Sequence, residues 1–491
     1  MSAIKNIYFE YGILIVSGFL YTFSFSPVDF KVGIFLSLSL FLYILSTSTK
    51  KSSLLKSFLY GIIVYSSGVS WVFNSIYYYG GEHLFLSSII TVLFIILLSA
   101  FFIPLGYFVN KETRLNKFFA PILVASIWVL IEFIRANIFG GFPWLLVGIS
   151  QTGTMFDYIF PLLGSFMVSF IVVMLSMMLV VALLSETKQI LFKIYTLSIL
   201  ILYISTSFIS YISIDANKPL KITIVQPNIN LGIKFNQNEL DDIKKKYMEI
   251  LDNKINDLVI LPETAIPRIY QLDKDFYDQL RKERDLNIIS GVFNYNRDTN
   301  EIHNSIVVLN DKEVFYNKRH LVPFGEYTPF KNIFGFIGDI LNIPMSDLTP
   351  GNINQTEIKY DNIVLHPLVC YEIAYPSLIR ISEDYSLIIN VSNDAWFGDS
   401  FAPYQHLQIS QARALEARRP VIRAANTGIS AIIDKNGAIL NKINLNQEGY
   451  INANIYPSKG ITPYMYFGDY PILMLIFSIM LLYWKYNKNY G

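Results

Sequence analysis

Hydrophobic positions fall into two textures along the chain. Before residue 215 they come in long runs of roughly 20 residues, the length a helix needs to cross a bilayer core with every backbone polar group satisfied internally. About seven such runs predict helices near residues 8–25, 31–47, 54–78, 85–109, 118–138, 156–184 and 190–212, with an eighth near 468–484. From about Pro219 to Ser458, short β-branched runs alternate instead with charged amphipathic stretches. That texture predicts a globular α/β domain. Strands are expected over 221–226, 258–261, 287–292, 305–309, 364–369, 387–391, 421–424 and 430–433, and helices over 238–254, 274–284 and 404–419. The tetrapeptide Asp434, Lys435, Asn436, Gly437 reads as a hairpin turn, because Asn-Gly tolerates positive φ. Strands as continuously apolar as 387–391 imply a sheet covered on both faces. The expected division is a transmembrane bundle over 1–215, an α/β domain over 219–458 and a last transmembrane helix over 467–486.

Composition supports the membrane reading. Of the 491 residues, 53% are hydrophobic, too many for an ordinary soluble protein. The net charge of +1 gives no field that would draw in nucleic acid, so no such partner is expected. One cysteine excludes an internal disulfide framework, and five scattered histidines lack zinc-like spacing. No metal or cofactor is expected, although a carboxylate-only metal site stays open on these grounds.

Basic residues set the orientation, since Lys and Arg are retained on the cytoplasmic side. Lys50, Lys51 and Lys56 follow the second run, Lys111, Arg114 and Lys117 the fourth, Lys188 and Lys193 the sixth, and Lys485 and Lys488 the last. The opposite loops, around Asp29, 80–83 and 140–144, are nearly free of them. Both termini are therefore expected in the cytoplasm and the α/β domain on the outer face, periplasmic in a bacterial chain.

Three polar groups stand in apolar settings. In "HPLVCYEIAYP" a strand-like run ends at Cys370, where a rigid element can aim a thiol into a cleft. A free cysteine is also a common inert core residue, so the thiol alone decides nothing. In "LVILPETAIP" an apolar strand delivers Glu263, whose pKa such surroundings push upward, as suits a general base. A turn cap is the plainer alternative. In "YNKRHLVPFGEYTPF", Lys318 precedes an apolar turn carrying Glu326. This lysine is either an oxyanion partner or a solvated surface charge. Together the three make chemical sense: a carboxylate takes the thiol proton, the thiolate attacks a carbonyl, and an ammonium steadies the tetrahedral oxyanion. No G-x-S-x-G elbow, Walker loop, G-x-G-x-x-G or H-E-x-x-H competes with them.

Glu, Lys and Cys in this order and these settings resemble the nitrilase superfamily. The whole chain resembles the bacterial apolipoprotein N-acyltransferase family, through "GFPWLLVGISQTG", "VQPNI", "LPETAIP", "YNKRHLVPFGEYTPF", "VCYEIAYP", "NVSNDAWFG" and "QARALEARRPVIRAANTGISAIID". The resemblance implies an αββα sandwich carried on about eight spans in the inner membrane. It implies Glu263 as base, Lys318 as oxyanion partner and Cys370 as nucleophile, with Glu326, Tyr371 and Glu372 in support. The chain departs from the family at Pro227, where a glycine is usual, and at Phe235, where a tryptophan is expected on a substrate-facing arm. The implied reaction is ping-pong. An acyl chain passes from a phospholipid to Cys370, then from the thioester to the α-amine of a diacylglyceryl-cysteine that begins an apolipoprotein. Phe235, Trp144, Phe334 and Phe336 are candidate lipid contacts; Trp144 reads equally as an interfacial belt residue, and the apolar segment over 330–348 that carries the last two reads either as a mobile arm dipping into the outer leaflet or as a buried loop of the domain core. A membrane-tethered amidase, with water resolving the thioester, is the alternative. A transporter with a degenerate outer domain fits less well, because Glu132 and Arg135 are the main ionisable groups inside the spans and stand one turn apart, where they can simply pair.

Overall fold

The computed structural model describes residues 2–80, 83–113, 119–184, 197, 214–215, 219–252, 256, 258–310, 312–328, 347–380 and 384–490. The chain divides into two compact units. One comprises Met1–Ser70, Ser88–Ile212 and Thr462–Gly491, the other Trp71–Ser87 and Ser213–Ile461.

The first unit is helical, with helices Ser2–Phe23, Gly33–Thr47, Lys50–Gly68, Leu84–Ala100, Ile103–Phe108, Ala120–Asn137, Phe160–Leu184 and Tyr470–Tyr490 among the described residues. Three of its spans are long and apolar enough to cross a membrane, Leu84–Phe108, Ala120–Gly140 and Phe160–Leu184, and a bent pair makes up to four. Tyr8–Phe23, Gly33–Thr47 and Tyr470–Tyr486 are apolar but shorter. The run expected over 190–212 lies outside the described residues, residue 197 apart.

The single helix expected over 54–78 is corrected. Lys50–Gly68 stops, and after a break a separate piece, Val72–Tyr78, begins in the second unit. Two hydrogen bonds accompany the break. Asn74 and Ser75 are polar residues with carbonyls to bind: Asn74 Nδ2 donates to Phe397 O at 2.9 Å, and Ser75 Oγ to Trp396 O at 2.8 Å. The Trp71 ring meets Phe397 edge-on at 4.7 Å. The segment therefore folds with the α/β unit. Glu132 and Arg135 do other work than pairing. Glu132 Oε1 accepts from Trp128 Nε1 and Val147 N, while Arg135 Nη1 donates to Phe142 O and Trp144 O, which pins the loop after their helix.

The second unit is a two-sheet sandwich. Its strands are β1 Ile214–Asp215, β2 Leu220–Gln226, β3 Leu258–Ile260, β4 Asn287–Asn296, β5 Glu301–Leu309, β6 Glu313–Asn317, β7 Ile358–Tyr360, β8 Ile363–Val369, β9 Leu387–Ser392, β10 Val421–Ala425, β11 Ser430–Ile433, β12 Ile439–Ile443, β13 Gly449–Ile455 and β14 Ser458–Lys459. The sheets run β13-β2-β3-β4-β5-β6 and β12-β11-β10-β9-β8-β7, and β1 pairs with β14. Both are parallel at the centre, in β2-β3-β4 and in β8-β9-β10, and antiparallel at the edges. The inward faces interdigitate through Ile222, Ile260, Ile289, Ile306, Val369, Ile389, Val391 and Ile422. The outer face of the first sheet buries Tyr247 and Leu280 from helices Leu240–Leu251 and Lys274–Arg284, and helix Ala402–Ala417 covers β10 and β11. Every residue of β9 is buried, as its apolar run requires. The hairpin at 434–437 is present, with Asp434 Oδ1 accepting from Asn436 N and Ala438 N and Gly437 at φ +79°.

Candidate active site

Glu263 and Cys370 stand just beyond buried apolar strands, and Lys318 just beyond the edge strand β6. After β3 the chain crosses β4 at Gly291, where Ala265 N donates to Gly291 O at 2.9 Å and Gly291 N to Pro262 O at 3.2 Å. A Cβ on Gly291 would lie 2.4 Å from Glu263 Cα, so only glycine permits this approach. The crossing buries Glu263. Lys318 follows β6 directly. Its N–H donates to Asn304 O and its carbonyl accepts from Gly351 N. Cys370 follows β8 at φ +50°, a left-handed conformation that costs a non-glycine residue free energy and is held by its surroundings.

The charged groups converge. Lys318 Nζ donates to both oxygens of Glu326, at 2.9 and 2.8 Å, with both side chains buried. Asn304 Nδ2 bridges the two carboxylates, donating to Glu263 Oε1 at 2.8 Å and Glu326 Oε1 at 2.7 Å. Glu326 Oε2 also accepts from Val322 N at 2.8 Å. Burial raises the pKa of Glu263, while Lys318 draws it back. Burial alone would lower Lys318, but Glu326 and Glu263 outweigh it and the ammonium is held. Burial pushes the Cys370 thiol well up, Glu263 adds to that, and Lys318 opposes it. At neutral pH this is a thiol in need of a base beside a carboxylate of raised basicity.

Glu372, fully buried, braces the turn that begins at Cys370. Its Oε2 accepts from Val369 N at 2.8 Å, and its Oε1 from Arg319 N, His320 N and Tyr316 Oη at 2.7, 3.1 and 3.0 Å. It therefore ties the strand before Cys370 to the turn after Lys318. Tyr371 is buried and packs edge-on against Tyr375 at 5.3 Å. Phe235 is half-buried, 6.4 Å from the Trp396 ring. Trp144 belongs to the helical unit, where it is fully buried. Phe334, Phe336 and the arm expected over 330–348 lie outside the described residues, except 347 and 348.

Two residues escape the sequence reading. Asn304 sits inside β5, and an Asn in a strand interior is the one signal that marks it. Lys234, fully buried, donates through Nζ to Glu263 O at 2.9 Å. Burial lowers its pKa to about 8 against the pull of Glu263 and Cys370. Nothing in "NLGIKF" distinguishes it from a surface lysine. Among the described residues, no three His, Cys, Asp or Glu side chains gather as a metal site.

A two-sheet sandwich whose strand ends gather a thiol, a carboxylate and an ammonium is the architecture of carbon–nitrogen hydrolases, and residues 221–461 match the family described as carbon-nitrogen hydrolase. Residues 17–178 match the apolipoprotein N-acyltransferase N-terminal domain. The apolipoprotein N-acyltransferase of Haemophilus influenzae is 33% identical, over 97% of this chain and 95% of its own. That of Methylococcus capsulatus is 33% identical over 95% and 94%. That of Coxiella burnetii is 32% identical over 96% and 99%. The chain belongs to the apolipoprotein N-acyltransferase family, and with its apolar helices it is a membrane protein.

Proposed function

We propose that this enzyme N-acylates apolipoproteins in two half-reactions at one thiol. Glu263 takes the Cys370 proton, and the thiolate attacks an ester carbonyl of a phospholipid. Lys318 and a backbone N–H near Tyr371 hold the oxyanion. The intermediate expels a lysophospholipid alkoxide, which recovers the proton from Glu263 and leaves an acyl thioester. The α-amine of a diacylglyceryl-cysteine then attacks the thioester and gives its proton to Glu263. The amide forms, and Sγ leaves as a thiolate to be reprotonated. The observation that carries this reading is the shared hydrogen-bond cluster of Glu263, Asn304, Glu326 and Lys318, with the Cys370 thiol inside its electrostatic reach. Near-full-length similarity to N-acyltransferases supports an amine over water as the acceptor.

Both substrates keep their chains in lipid, since each methylene drawn into water costs about 0.8 kcal/mol. The reading therefore includes about eight spans, both termini in the cytoplasm, and the α/β unit on the outer face of the inner membrane, as the basic loops imply. In proteoliposomes with labelled phospholipid, mass spectrometry should find the acyl chain on Cys370 of the wild type and none on Cys370→Ala or Cys370→Ser. Adding a diacylated lipopeptide should yield the N-acylated peptide. Free fatty acid as the main product would instead assign a hydrolase.

A further inference from the structure

Behind Cys370 lies a fully buried polar cluster that acyl transfer, as written above, leaves unused. Ser392 Oγ, at the end of β9, is 3.5 Å from Cys370 Sγ and 2.7 Å from Asp394 Oδ1. Asp394 Oδ1 also faces His406 Nδ1 at 3.0 Å, and Oδ2 accepts from Arg423 Nη2 at 2.6 Å. Arg423 reaches on to Asn390 Oδ1. Asn390 Nδ2 and His406 Nε2 approach the Cys370 carbonyl at 3.4 and 3.3 Å. Ser392, Asp394, His406, Arg423 and Asn390 have essentially no solvent exposure.

A serine hydroxyl carries one proton. It cannot serve Asp394 and the sulfur together. At 2.7 Å the carboxylate holds it while Sγ is neutral, and the serine oxygen is then free to accept from the thiol S–H. Once Glu263 removes that proton, Sγ becomes an anion in a dry site, where a charge-assisted hydrogen bond is strongest. Asp394 keeps Arg423 and His406, so it loses little when the hydroxyl turns away. Burial would raise Asp394, yet Arg423 and His406 outweigh it, so it stays ionised and an acceptor throughout.

We propose that Ser392 is a two-position donor: its hydroxyl points at Asp394 while Cys370 is a thiol or thioester, and turns to Sγ while Cys370 is a thiolate. No proton leaves the serine. The thiol proton goes to Glu263, and the hydroxyl only changes acceptor, once in each half-reaction. Of the other groups facing the thiol, Asp394 opposes the thiolate and Lys318, held by Glu326, favours it; Glu263 opposes it only until it has taken the thiol proton, and Lys234 favours it while protonated, below about 8.

This rests on Cys370 being the nucleophile, which thioester formation by the wild type tests separately. The switch itself is read by the pH profile of iodoacetamide alkylation of the full-length protein, whose only cysteine is Cys370. In Ser392→Ala the profile should move up by about one pH unit or more, and single-turnover thioester formation should slow about tenfold to a hundredfold, the loss of one hydrogen bond to an ion. Ser392→Thr, which keeps the hydroxyl, should follow the wild type. An alanine variant of native Tm that alkylates along the wild-type profile overturns the switch. So does an infrared S–H stretching band of the wild type at the frequency of a free thiol, a measurement that needs no variant.

Discussion

Glu263 works as a base only when unprotonated, and its burial therefore sets the acid side of the pH profile. Because burial raises it above the ordinary carboxylate range, thioester formation should rise with pH through a limb lying higher than an exposed glutamate would give. Glu263→Gln should abolish the thioester at every pH, and normal trapping of labelled acyl chain by that variant would remove Glu263 from the base role. The alkaline side belongs to Lys234. Above about 8 it loses its proton, and with it a positive charge beside the thiolate, so the rate should fall. Lys234→Met should flatten that limb and lower the rate on the order of tenfold, one hydrogen bond to Glu263 O being lost. Its effect on stability has the opposite sign. The folded pKa is depressed, so the unfolded chain binds the proton first as pH falls from roughly 10 toward 8, and stability drops across that window. At neutral pH the methionine variant should melt no lower than the wild type by scanning calorimetry.

At the scale of elements, Gly291 is the contact on which the base depends. Gly291→Ala drives a Cβ into the backbone at Glu263, an overpacking of about 1–3 kcal/mol, and should lower both Tm and thioester yield. A variant with wild-type values in both would mean that the crossing has slack. Glu263 and Cys370 are legible in the sequence because each is a polar residue at the end of an apolar run, and the strands beneath them follow from the same runs, whereas Lys318 is legible only by the apolar turn that follows it. β6, β7, β12 and β13 are not legible, because edge strands mix exposed and buried positions and their runs are short. Asn304 and Lys234 are hidden because their importance lies in what the other strands bring to them. The break at Gly68 is hidden for a related cause. Hydropathy counts Asn74 and Ser75 as minor blemishes in an apolar run, whereas the partners of their hydrogen bonds are more than 300 residues away in sequence.

For the whole molecule, the basic loops make a prediction that needs no chemistry. If the proposed topology holds, a fluorescent protein fused after Gly491 should fold and fluoresce, and alkaline phosphatase fused there should be inactive, because basic loops are retained on the cytoplasmic side. The reverse pattern would invert the proposed topology and place the thiol on the wrong side for an outer-leaflet donor. The pairing of β1 with β14 has a wider consequence. Ile214 stands opposite Lys459, so the excursion of the chain through the α/β unit begins and ends at one doorway. An insert with adjacent ends needs only one seam to match at that doorway, and the second join of this unit is the segment Trp71–Ser87, which packs with it. In the laboratory, a relative's α/β unit should be exchanged at that doorway together with its counterpart of Trp71–Ser87.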